Sequence, residues 1–128
     1  MDKRLVTTLA VLAAIAGASA VLTSQDNPTK DELMKAKAGY AHKLLDAVVL
    51  GNFEAVQDQA FRLKAVSETA EWSATKSPWY VRESDGFIRA TEQLYEAAKQ
   101  KDADATSLAF VDLTLRCVKC HQGLRSEP

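Results

Sequence analysis

A chain of 128 residues with a formal net charge of −1 is long enough for one domain with one modest core, and its balanced charge carries no nucleic-acid footprint. Glycine and proline are nearly absent inside the periodic stretches, β-branched residues are sparse, and there is no repeat or low-complexity segment. The composition points to an all-helical domain.

Residues 1–20, MDKRLVTTLAVLAAIAGASA, combine a basic start (Lys3, Arg4), an apolar run from Leu5 to Gly17 and the small-residue site Ala18-Ser19-Ala20. This pattern predicts a secretory signal peptide cleaved after Ala20. An uncleaved anchor is the competing reading, but the run is shorter than the roughly 20 apolar residues that a spanning helix needs. Export would place the protein in the periplasm or otherwise outside the cytoplasm, with no stable membrane insertion once the signal is removed. Cleavage takes two of the 16 basic and one of the 17 acidic side chains, leaving a mildly acidic domain. A polar leader, residues 21–28, follows.

The domain itself spans 29–128. Thr29 with Glu32 three residues later is a capping-box start, and Met34, Ala38, Ala41, Leu45 and Val48 then recur at spacings of three and four, with Leu33, Tyr40, Leu44 and Ala47 widening the stripe. The first helix runs to about Leu50, with Gly51 closing it. Asn52 caps a second helix with an inner face of Phe53, Val56, Ala60, Leu63, Val66 and Ala70, which Pro78 terminates. The connection from Ser77 to Glu83 carries Trp79 and Tyr80, whose rings are expected to cover one end of the core or to pack on a bound group. A third helix starts near Ser84 and uses Phe87, Ile88, Thr91, Leu94, Tyr95 and Ala98. A fourth, from about Ala103 to Arg125, has Leu108, Phe110, Val111, Leu113, Leu115 and Val118 as its apolar positions. Four amphipathic helices joined by short turns predict an up-down-up-down antiparallel bundle.

The only two cysteines fall in CVKCH, residues 117–121. C-x-x-C-H is the attachment signature of c-type haem. Two thiols on one helical turn reach the two vinyl groups of a porphyrin, and His121, four residues after Cys117, presents its imidazole to the iron from the same side. Other readings fit less well. A thioredoxin-like pair wants a βαβ setting, a zinc site wants a third soft ligand, and a disulfide between adjacent turns of one helix constrains little. The expected cofactor is one covalently bound haem c on the fourth helix.

The other iron face decides between carrier and gas binder. Met34 is the only methionine besides Met1, and it lies within about 40° of Ala38, Ala41, Leu45 and Val48 on a helical wheel. Methionine ligation predicts a saturated, low-spin electron carrier; an open site predicts a binder of nitric oxide or carbon monoxide. His42, about 80° from Met34, is a third candidate that has to reach around the helix. No other catalytic constellation is present, so an enzyme is not expected; the partners are unidentified redox proteins.

The terminal CVKCHQGLR on the last of four helices, with LMKAK in the first, resembles the cytochrome c-prime superfamily, and in particular its low-spin, methionine-ligated members. That resemblance implies a role near the haem for Arg125, four residues after His121. The family often has an aromatic residue before this arginine, where this chain has Leu124. It also implies a homodimer through the first two helices, for which Tyr40, Leu44 and Phe53 are the candidate contacts.

Overall fold

The computed structural model describes residues 28–69 and 77–126, all helix and turn, with no strand among them. The expected signal peptide, nearly all of the expected polar leader, and Ala70 lie outside the described residues. Four helices pack against one another: α1 (Lys30–Val49), α2 (Phe53–Ser67), α3 (Pro78–Lys99) and α4 (Ala103–Ser126). Among the described residues no helix is long and apolar enough to cross a membrane.

The helix boundaries follow from local chemistry. At α1 the Thr29 N–H donates to the Glu32 carboxylate at 2.8 Å while the Glu32 N–H donates to Thr29 Oγ1 at 3.3 Å, a reciprocal cap that satisfies two otherwise orphaned donors. Gly51, at φ +64°, turns the chain out of α1, a left-handed conformation that glycine adopts without a Cβ penalty. Asn52 Oδ1 then accepts from the Ala55 N–H at 3.1 Å and starts α2. Between α3 and α4 the left-handed position is filled by Lys101 at φ 57°, and the Asp102 carboxylate accepts from the Ala105 N–H at 2.9 Å.

The third helix begins earlier than the sequence suggests. Pro78 is its first residue, so the aromatic stretch expected as a connection is helical, and Trp79 and Tyr80 belong to the first turn of α3. The physical reason is that proline lacks only an N–H that is unpaired at a helix start in any case.

Leu44 of α1, Val56, Ala60 and Leu63 of α2, Phe87, Ala90, Leu94 and Ala98 of α3, and Leu113 of α4 form the main core. A smaller cluster joins Leu33 and Tyr80, with Met34, Val66 and Trp79 packed on it. Two expected inner faces are corrected. On α1 the core positions are Leu33, Leu44 and Ala47, whereas Leu45 is half exposed. On α4 Leu113 is buried, but Leu108, Val111, Leu115 and Val118 stand 45–71 % exposed. Tyr40, Leu44 and Phe53 serve the chain's own core, and Leu44 has no exposed surface to offer a second copy.

Helix α3 packs heavily on both α2 and α4, and α1 packs on α2, but α1 and α4 touch each other only lightly. The space kept open by that light contact holds the candidate site.

Candidate functional site

A cavity of about 390 Å³ is walled by α1 and α4, with α3 behind it. From α4 it receives Phe110, Leu113, Cys117, Cys120 and Leu124, a row at spacings of three and four that keeps one face of the helix on the cavity throughout, and His121, four residues after Cys117 on the same face. The spacing within CVKCH is what puts both thiols and the imidazole on that face. From α1 it receives Met34, Lys37, Ala38, Ala41 and His42. Four of the five predicted site residues, Met34, Cys117, Cys120 and His121, therefore meet at one cavity although 83 positions separate the first from Cys117. Arg125 does not join them: it is exposed in the last turn of α4 and is not part of the wall.

The apolar stripe of α1 is thus divided. Leu33, Leu44 and Ala47 fill protein core, while Met34, Ala38 and Ala41 face the cavity. His42 reaches the cavity as well, so the offset on the helical wheel does not exclude it. No protein family, no curated protein and no solved structure matches this chain.

Both cysteines are free thiols, not bonded to one another. Burial pushes each thiol above the ordinary cysteine value, and the Lys37 ammonium from the facing helix pulls each back in part. The balance keeps them protonated near neutral pH. Lys37 is the site residue that sequence reasoning misses. Its Nζ stands 4.5 Å from the centroid of the Phe87 ring, a cation–π arrangement, and burial lowers its proton affinity. The signal was available: Lys37 follows Met34 by three residues and so shares its face.

Tyr80 lines the cavity, with Trp79 packed on the Leu33–Tyr80 cluster beside it. Tyr80 is buried, with its hydroxyl held above the ordinary tyrosine value by burial. Trp79 lies against the backbone of α4 so closely that a Cβ on Gly123 would sit 1.8 Å from its Cζ2 atom. Glycine is required there by proximity, two residues after His121.

The donor set suits a haem. Among the described residues no three His, Cys, Asp or Glu side chains stand close enough to hold a bare metal ion. A porphyrin brings its own four nitrogens and asks the protein only for axial donors and an apolar slot. An imidazole on α4, a thioether on α1, two thiols beside the imidazole and a wall of alanine, leucine and phenylalanine meet those needs. The volume falls in the roughly 300–1,000 Å³ range of small-molecule pockets.

Proposed function

We propose that this chain is an exported c-type cytochrome of the cytochrome c-prime kind, an up-down-up-down antiparallel four-helix bundle whose C-terminal helix carries one covalent haem, and that it works as an electron carrier. One observation carries the reading: Cys117, Cys120 and His121 line the same cavity as Met34, from opposite helices. A bound haem would supply an iron that accepts and returns one electron. The chain's own residues do the rest. Cys117 and Cys120 tether the macrocycle through thioethers, which matters in a domain too small to bury it completely. His121 holds the iron from the α4 side and Met34 from the α1 side, while Ala38 and Ala41 give the ring room to approach. Phe87, Phe110 and Leu113 give the ring an apolar inner wall.

A second reading has its own support. Met34 packs on the Leu33–Tyr80 cluster, and a sulfur held there leaves the α1 side of the iron open to neutral gases such as nitric oxide or carbon monoxide.

The test is to produce the chain in an exporting host with working cytochrome c maturation. Its mass should exceed that of the processed polypeptide by one haem, and colour should survive acid-acetone extraction. Ferric and ferrous spectra should both be low-spin. A colourless product sinks the haem reading, and a high-spin ferric form whose ferrous state takes up carbon monoxide readily replaces the carrier by the gas binder.

A further inference from the structure

We propose that Lys37 sets the reduction potential of the group held in this cavity, raising it by favouring the reduced state; the inference rests on the haem reading above. Lys37 comes from the same face of α1 as Met34, and its ammonium reaches the cavity wall over the Phe87 ring at 4.5 Å. It is the only lysine or arginine among the described residues that line the cavity. Glu83 is the only carboxylate there; its side chain is 16 % exposed, with the 67 % exposed Arg82 at 3.5 Å, and it acts on the iron in the opposite sense, so the contribution of Lys37 is the one read from its own removal.

The physical link is Coulombic. Reduction adds one electron, delivered by a partner redox protein, and takes one unit of positive charge away from the iron. A fixed ammonium in the same apolar space repels the oxidised state more than the reduced one, so the electron is held more tightly. Position decides the size of the effect. Lys35, on the same helix, has a side chain 74 % exposed and pairs with Asp31 at 2.7 Å. Water and salt screen a charge of that kind, but screen a half-buried one lying over an apolar wall less. Two lysines two residues apart should therefore differ sharply in what their removal does.

The experiment is mediated spectroelectrochemistry of the haem-loaded full chain, comparing the unmodified protein with K37Q, K37A, K37R and K35Q, each checked by mass for one haem and by spectrum for unchanged axial ligation. The expected result is a lower potential in K37Q and K37A, a potential near the starting value in K37R and K35Q, and a difference that survives molar salt. An unchanged potential in K37Q and K37A overturns the proposal, as does an equal shift in K35Q. Loss of haem loading in both neutral variants also overturns it, because Lys37 would then be needed for attachment and not for tuning. An unmodified chain without haem fails the underlying reading instead, and the mass distinguishes that failure from the others.

Discussion

Replacing Gly123 by alanine should destabilise the protein, against the usual sign of that change within a helix. In a helix interior alanine is favoured over glycine by up to about 1 kcal/mol. Here the added methyl would lie 1.8, 2.3 and 2.6 Å from three atoms of the Trp79 indole, closer than any carbon contact tolerates, so the ring must move. Forcing extra carbon into a packed contact costs about 1–3 kcal/mol, which leaves a net loss of up to about 2 kcal/mol after the propensity gain. The indole has somewhere to go, since Trp79 is only half-buried, and that favours the lower part of the range. The sharper test removes the obstacle. In a Trp79→Ala background the same Gly123→Ala change should become stabilising by up to about 1 kcal/mol, because only helix propensity remains. Urea denaturation followed by far-ultraviolet circular dichroism on the four members of the cycle gives the coupling, expected at about 1–3 kcal/mol. Additivity, with Gly123→Ala stabilising by the same amount in both backgrounds, would refute the close approach of Trp79 to α4.

Met34→Ala in the haem-loaded protein should turn a low-spin spectrum high-spin and open the ferrous iron to carbon monoxide, read by titration in the visible band; an unchanged low-spin spectrum would transfer the ligand role to His42. Lys101→Gly should stabilise the fold by about 1 kcal/mol in urea melts, because a β-carbon in the left-handed region is strained and glycine is not. Lys37→Gln should stabilise the haem-free chain at neutral pH, where burial penalises the ammonium. The sign with pH follows from the lowered proton affinity. The unfolded chain binds the extra proton between the folded and unfolded lysine values, so the unmodified protein gains stability as pH rises through that window and its deficit against Lys37→Gln shrinks. Paired denaturation curves from neutral to alkaline pH check this, and a widening gap would contradict it.

Much of this arrangement is legible in the sequence because the determinants are local. Thr29 with Glu32, Gly51 and Asn52 place both ends of α1 and the start of α2 to within a residue or so, since each satisfies backbone groups near itself, whereas α2 stops at Ser67, well before Pro78. CVKCH assigns its own face of α4. Pro78 misleads because one residue can end a helix or begin one, and the local sequence does not say which. The stripes of α1 and α4 mislead for a different reason: Leu45, Leu108, Val111, Leu115 and Val118 keep helical spacing yet are exposed and line no part of the cavity, because spacing alone does not say which apolar positions another element covers. Periodicity finds the apolar side and not its occupant. The approach of Trp79 to Gly123 joins residues 44 positions apart and leaves no local trace.

The light contact between α1 and α4 bears on the order in which the chain can be completed. Local opening proceeds most easily where few packed contacts have to be broken, and this seam has the fewest of the four helix pairs that form the structure. Opening at this seam parts α1 from α4 while α1 keeps its packing on α2, and it uncovers the cavity side of Cys117 and Cys120 without unfolding the rest. If the proposed haem is present, amide hydrogen exchange on the cavity side of α1 should be faster in the haem-free chain than in the loaded one, where the cofactor would clasp α1 to α4.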